Sequence, residues 1–489
     1  MVLIKLDDGT TFCSISTFSG GGIGDAGVEW GAGVPVISAC EVVPDRAGLI
    51  RHNYPDTKVF EDDIWDVKNK IIEHARKKVG KEGNPWLFVM SPPCQGMSAN
   101  GAGRISASIA AGNRPKEDER NRLVLPGIDI IEELKPSWFI LENVRRMENT
   151  VIQSELSDRK PEKILDVMGR RLHPLGYTIR SAIIDFRDLG VPHHRKRLIT
   201  IGTNVKELVR KYHPGQIFHS SPTELHPQQT HGGDNQPKHI PLEDVIRHMP
   251  WLDAKEKLQC EEDPLHQIPK WNDDHYFWMK HTPMGCTAFE NDDCLDQSCG
   301  KKEIDRRAYK CPECHEELPR PTVEFAGWTC LQCGEDNRKN KLECDRCGKV
   351  HSSEEIEDKR RLIRGFKTSY RRLKWKESAS TITMNSGVIS SDMKGHPEEH
   401  RVLSVKEILM LSTLHNSPAV TYPWGERYQF KSIMKKGENK KKKRYHHGGE
   451  MHPRLVRQVI GESIPPLAMQ KIVEHLLFLD QRIDDGASN

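Results

Sequence analysis

The chain has no run of about 18 or more apolar residues, which excludes a membrane-spanning helix of the ordinary kind. Its start, Met1 to Thr10, carries Lys5, Asp7 and Asp8 and lacks the apolar segment and small-residue cleavage site of a secretory signal, so export is not expected. An excess of one charge sign is missing too: 73 basic residues stand against 70 acidic ones, a net of +3. There is no Gly-Lys-Ser or Gly-Lys-Thr phosphate loop, which favours a nucleoside lacking a triphosphate over ATP. Without an export signal, the thirteen cysteines are expected to be reduced or metal-bound.

What is present begins with length: 489 residues are enough for two or three domains with a sizeable core. From about residue 11 to 203, short apolar runs alternate with helix-like stretches. The runs are Phe12 to Ser16, Val34 to Ala39, Leu87 to Met90, Trp138 to Leu141 and Leu198 to Ile201. That alternation predicts an α/β domain built on a doubly wound, mostly parallel sheet. A His-, Pro- and Gln-rich stretch follows, then a cysteine-rich segment over about 286–347, which predicts a smaller domain held together differently. Regular patterning returns near Ala379 with strand-like Ser380 to Met384, a helix from about Ser404 to Thr413 and a last helix over roughly Pro466 to Asp480. The expected division is 1–203, 204–378, 379–455 and a C-terminal segment 456–489 that completes the first domain.

Ser91-Pro92-Pro93-Cys94-Gln95-Gly96 sets one cysteine just beyond the apolar run Trp86 to Met90, at a strand end where open α/β sheets do their chemistry. Two prolines stiffen the turn, and Gly96, Gly101, Gly103 and Gly112 give the following loop the composition of a lid. A small apolar core residue is the alternative for Cys94. Phe18-Ser19-Gly20-Gly21-Gly22 follows the first strand directly, as a backbone approaching a ligand would, or as a plain tight turn. Glu41, with Val42 behind it, ends the second run, where a carboxylate can accept hydrogen bonds from a ribose; Asp63-Ile64 stands at the expected end of the third. Glu142 ends the run Trp138 to Leu141, with a helix cap as the alternative reading, while Arg195 and Arg197 form a basic pair suited to clamping a base or simply solvated.

In this order the motifs resemble those of the cytosine-C5 DNA methyltransferases. The resemblance covers most of the chain outside 204–375. It takes in Phe18 to Gly22, Glu41, Asp63-Ile64, Pro92-Pro93-Cys94-Gln95, Asp118 to Leu123, Glu142-Asn143-Val144, Arg195-Lys196-Arg197, Arg401 to Ser404 and Gly461 to Pro466. It implies a Rossmann-like fold binding S-adenosylmethionine through Phe18, Ser19, Gly20, Gly22, Glu41, Val42, Asp63, Ile64, Pro92, Leu123 and Ser463. It further implies that Cys94 attacks C6 of a flipped cytosine, with Glu142 at N3 and the exocyclic amine and Arg195 and Arg197 at O2 and the nearby backbone. Ile23, His193, Glu462 and Met97 depart from the family's usual glycine, glutamine, asparagine and phenylalanine.

Between the eighth and ninth motifs, where the family keeps its target-recognition domain, Cys330-x2-Cys333 and Cys344-x2-Cys347 stand ten residues apart. Four thiolates at this spacing suit a structural zinc, and the surrounding Trp328 and Asn337 make the segment similar to the Ran-binding-protein type of zinc finger. Cys294, Cys299, Cys311 and Cys314 offer a second zinc site, with Cys286 as a possible substitute ligand. Arg360, Arg361, Arg364, Lys367, Arg371, Arg372 and Lys374 form a basic stretch expected to run along DNA. Lys435 to Arg444 holds seven basic residues and one acidic, and its Lys440 to Arg444 tract is either a phosphate contact or a solvated tail.

The expected partner is double-stranded DNA, with a cognate restriction endonuclease as a possible further one, and the expected state is a monomer. The expected setting is a stand-alone modification enzyme, cytoplasmic in a prokaryote or virus and nuclear in a eukaryote. Two other readings stay open: methylation of tRNA cytosine by the same chemistry, and an inactive DNA-binding regulator.

Overall fold

The computed structural model describes residues 3–6, 8–94, 118–153, 161–324, 327–330, 332–333, 335–338, 342–351, 360–363, 368–391, 393–433 and 449–480. The glycines after Cys94, Arg364, Lys367 and the Lys435 to Arg444 tract lie outside them. The chain divides into two compact units: residues 1–240 with 409–489, and residues 241–408.

The first unit is built on strands β1 (Thr10–Thr17), β2 (Val36–Cys40), β3 (Lys58–Phe60), β4 (Asn84–Met90) and β5 (Trp138–Asn143), then a short ribbon β6 (Val151–Ile152) and β7 (Glu162–Lys163), then β8 (Thr178–Asp185) and β9 (Lys196–Thr203). Seven of them form one sheet in the order β3-β2-β1-β4-β5-β9-β8. β1 to β5 run parallel and β9 runs antiparallel to both of its neighbours, so the sheet is mixed but mainly parallel. The sheet is covered on both faces, as near-continuous apolar strands require. Along β5, Phe139 and Leu141 enter one buried cluster, with the helices Ile64–Val79, Val124–Leu134 and Ile164–Leu172. Trp138 and Ile140 enter another, with the helix Pro466–Leu479.

The C-terminal segment is integral to this unit. A Cβ on Gly27 would sit 2.1 Å from the Pro466 carbonyl oxygen, so only glycine lets the last helix approach there. Asp480, fully buried, accepts hydrogen bonds at 2.9 Å from the indole nitrogens of both Trp86 and Trp138.

The described residues of the second unit have little regular structure. Its core gathers Leu252, Trp271, Trp278, Met279, Tyr370 and Val402. Buried guanidinium groups take over part of the role of a ladder: Arg372 donates to the carbonyls of Thr282, Met279, His396 and Glu399 at 2.6–2.8 Å. Arg372 is therefore a core residue and not a DNA contact, which corrects its place in the expected basic stretch. The strand expected over Ser380 to Met384 is also absent. The Lys394 ammonium, buried, donates to Ser380 Oγ and the Thr381 carbonyl, and these groups are satisfied without a ladder. The helix expected after Ser404 is present as Val405–Leu411.

Candidate active site

Cys94, Glu142, Arg195 and Arg197 come from three neighbouring strands. Met90 of β4 pairs with Leu141 of β5, which brings the turn after β4 level with the end of β5. There the Asn143 amide donates to the Pro92 carbonyl at 3.0 Å and ties the two strand ends together. β9 starts beside them because it runs the other way, with Asn143 opposite Leu198 and Glu142 opposite Ile199. Glu142 is thus inside β5 and not beyond it. It caps no helix: its carboxylate meets Arg197 Nε at 2.8 Å. Arg195 is fully buried and donates from Nη1 to the Gly461 carbonyl at 3.1 Å. Burial, then the like charge of Arg197, pulls the Arg195 guanidinium down to about 9, against the attraction of Glu142.

The Cys94 thiol is half-buried. Burial and then the Glu142 charge push its pKa up, while Arg197 and Arg195 pull it down without cancelling the rise. The thiol therefore rests protonated in the free protein at neutral pH, where reactivity in isolation calls for a lowered value. Four groups of the kinds needed for nucleophilic addition to a ring and for holding its developing charge are gathered at one sheet edge.

The glycine turn lies at the end of β1. Phe18, Gly20 and Gly22 all have positive φ (56°, 56° and 76°), and a Cβ on Gly22 would press on the Tyr54 ring at 2.8 Å. Ser19 donates its amide to the Cys40 carbonyl at 3.0 Å. Glu41 is buried and bridges two backbones: Oε2 accepts from Gly20 N at 2.9 Å and Oε1 from Val43 N at 2.8 Å. Its remaining lone pairs can accept the hydroxyls of a ribose. Burial raises the Glu41 pKa, and the Arg46 guanidinium offsets part of that. Val42 beside it is an exposed apolar side chain, 59% accessible. Ser463 Oγ would be the atom nearest a Cβ on Gly20, at 3.9 Å. Asp63 does not end a strand, since β3 stops at Phe60; it caps the helix Ile64–Val79, accepting from Trp65 N at 3.0 Å. Leu123 packs partly buried against the core. Glycines with open φ, a bridging acid and an exposed apolar side chain next to it suit an adenosine-bearing ligand.

The profile of C-5 cytosine-specific DNA methylases matches residues 12–477. The chain belongs to that family. It is a DNA cytosine-C5 methyltransferase dependent on S-adenosylmethionine. It is 25% identical over 480 residues to the Type II methyltransferase M1.HgaI of Avibacterium volantium, covering 94% of this chain and 97% of that one. With the Type II methyltransferase M.AquIA of Picosynechococcus sp. it shares 30% identity over 232 residues, 47% of this chain and 80% of that one. It is also similar to a solved S. pombe Dnmt2 methyltransferase, at 13% identity and a TM-score of 0.42, over 97% of this chain and 99% of that one.

This methylase brings its zinc-ligand candidates into two groups. Cys294, Cys299, Cys311 and Cys314 form one, and Cys330, Cys333, Cys344 and Cys347 the other; within each, the four sulfurs lie within 4.8 Å of one another. Cys286 is in neither group. Trp328 is buried with Cys330 and Cys344, and Asn337 Oδ1 accepts from Asp345 N at 2.8 Å, which ties the first knuckle to the second. In the basic stretch, Arg360 pairs with Glu317 and Asp274, Arg361 with Asp336, and Lys374 with Glu377. Arg371 donates to the Gly285 carbonyl at 2.9 Å.

Several residues of the site escaped sequence reasoning. Tyr54 and Tyr428 hold the glycine turn from behind, donating to the Gly22 and Gly21 carbonyls at 2.6 and 2.5 Å. Tyr428 is distant in sequence and carries no local signal. Arg46 stood beside a recognised motif and Asn143 within one, and only the fold gave them partners.

Proposed function

We propose that this methyltransferase modifies cytosine in a specific sequence of duplex DNA by covalent catalysis through Cys94. The observation that carries the reading is the meeting of Cys94, Glu142 and Arg197 at one sheet edge, around the Glu142–Arg197 ion pair. Cytosine C5 is a poor nucleophile. Cys94 gives up its thiol proton to water as Sγ bonds to C6, which moves ring electrons onto C5, and Glu142, sharing a proton with N3 and facing the exocyclic amine, holds the charge that develops. S-adenosylmethionine, when bound, would supply the electrophilic methyl group to C5 and leave as S-adenosylhomocysteine. Loss of the C5 proton to water and rupture of the Cys94–C6 bond then restore the ring. Arg197 orients Glu142, and Arg195, locked by the Gly461 carbonyl, serves the cytosine O2 side. A base within a duplex is out of reach of such an edge, so the target is flipped out of the stack.

Phe18, Ser19, Gly20, Gly22, Glu41, Val42, Asp63, Ile64, Pro92, Leu123 and Ser463 would hold the methyl donor. Glu41 has spare acceptor capacity for the ribose, and Val42 is open to an adenine face. The two cysteine groups would each take a structural zinc, since four sulfurs this close, in a donor set of thiols alone, suit tetrahedral coordination and leave no open position. Zinc would hold together a recognition region over 204–378 whose described residues form few strands or helices. A modification role beside a restriction endonuclease is supported by the names of the Type II relatives.

Incubation with labelled S-adenosylmethionine and either duplex DNA or tRNA tests the reading. Label in DNA, lost in Cys94→Ala, is the expected result. Label in tRNA alone, or normal transfer by Cys94→Ala, would overturn it.

A further inference from the structure

Arg46 and Glu462 are far apart in sequence, yet their side chains form an ion pair, each about a quarter exposed. Arg46 lies on the helix Pro44–Asn53, which begins just after Glu41; Glu462 ends the helix Pro453–Glu462, just before Ser463. Their surroundings alternate in charge. Arg46 attracts the Glu41 carboxylate as well as that of Glu462, and Glu462 in turn attracts Arg195. Arg195 is held by the carbonyl of Gly461, the residue next to Glu462, and faces the charge of Glu142, which is paired with Arg197. A series of acid, base, acid, base, acid and base thus runs from the carboxylate that bridges the glycine turn to the groups around Cys94.

We infer that the Arg46–Glu462 pair is a clasp that positions Glu41 and the Ser463 segment for the methyl donor and couples that site to Arg195. The inference rests on the cofactor site proposed above. A simple tie between two surface segments would need only opposite charges at the two positions. A clasp within an alternating series needs each charge where it is. With the charges exchanged, residue 462 would repel Arg195, and residue 46 would repel Glu41 more strongly than residue 462 would attract it, since Arg46 acts on Glu41 more than Glu462 does. The pair acts as a positioning device, and neither residue takes part in bond making.

Calorimetric titration of the full chain with S-adenosylhomocysteine, without DNA, measures the effect apart from turnover. Arg46→Gln and Glu462→Gln should each weaken binding about threefold to tenfold, as loss of a half-buried charge pair does. Arg46→Lys, which keeps the charge, should stay within about twofold of the natural chain. The exchanged variant R46E/E462R should bind no better than either single glutamine variant while still folding, as a cooperative melting transition shows. Recovery of natural affinity on exchange would reduce the pair to a surface tie and overturn the inference. So would single glutamine variants that bind normally, or an Arg46→Lys chain as weak as Arg46→Gln. If the natural chain itself binds no S-adenosylhomocysteine, the cofactor site fails and the clasp falls with it.

Discussion

Arg197 Nε lies 2.8 Å from Glu142 Oε1, across a pair of antiparallel strands at the edge where Cys94 emerges. The pair fixes the carboxylate close enough to the thiol for its charge to act on it. It also sets the electrostatics of that thiol, because one partner raises its pKa and the other lowers it.

The two charges should therefore act in opposite directions on Cys94 itself. Glu142→Gln should speed alkylation of the thiol by iodoacetamide at pH 8, and Arg197→Gln should slow it, each by about threefold to tenfold. Mass spectrometry of the Cys94 peptide against time gives both rates. Equal rates in the two variants would refute this electrostatic account.

The pH dependence follows from the raised Cys94 pKa. A thiol shifted upward yields less thiolate at any pH below its pKa. Alkylation in the free protein should climb about tenfold per unit through the neutral range and level off only above the pKa of an ordinary thiol. A plateau reached below pH 8 would contradict the burial that causes the shift.

Arg197→Ala should leave the fold intact and lower methyl transfer by about 100-fold or more, since Glu142 would lose the group that orients it. Arg197→Lys, which cannot reproduce the guanidinium fork, should recover only part of that. Single-turnover rates with labelled S-adenosylmethionine separate this loss from weaker DNA binding.

Chelation should act on the other unit. If each cysteine group holds zinc, a strong chelator should release about two ions per chain and lower the melting temperature of the 241–408 unit by about 5 °C or more. Cys344→Ala should release one. Metal analysis with calorimetry reads both, and a chain purified without zinc that melts unchanged would refute the assignment.

Acid should test a buried pair in that unit. Glu407 is fully buried and meets Arg401 Nη1 and Nη2 at 2.7 and 2.8 Å, which lowers its pKa to about 2. Its folded value lies below its unfolded one, so its stabilising effect is complete above the ordinary glutamate range and is lost as pH falls toward 2. Glu407→Gln should cost about 3 kcal/mol at pH 7, by leaving the buried Arg401 with the Glu399 carboxylate alone to balance its charge, and should flatten the acid limb of stability. Denaturant unfolding between pH 3 and 7 measures it.

Much of the architecture was legible beforehand. Runs such as Leu87 to Met90 and Trp138 to Leu141 are buried on both faces, so their composition alone marks them as inner strands of a covered sheet. The glycines of the first turn and the acid of the second strand were readable because local conformation demands those residue types. Arg372 was misjudged because an arginine in a basic stretch looks the same whether it meets phosphate or four carbonyls of its own core. Asp63 was misplaced by a strand that stops three residues earlier, at Phe60.

The sequence by itself determined the family, the motifs and the spacing of the cysteines, since each motif is made of residues close together along the chain and their order is the order of the chain itself. Only the tertiary structure decided that Glu142 pairs with Arg197, that Gly461 holds Arg195, that Tyr428 braces the glycine turn and that Arg46 meets Glu462. Those partners are separated by tens to hundreds of residues, and which charges meet is settled by strand direction and by the return of the C-terminal segment, neither of which leaves a local mark.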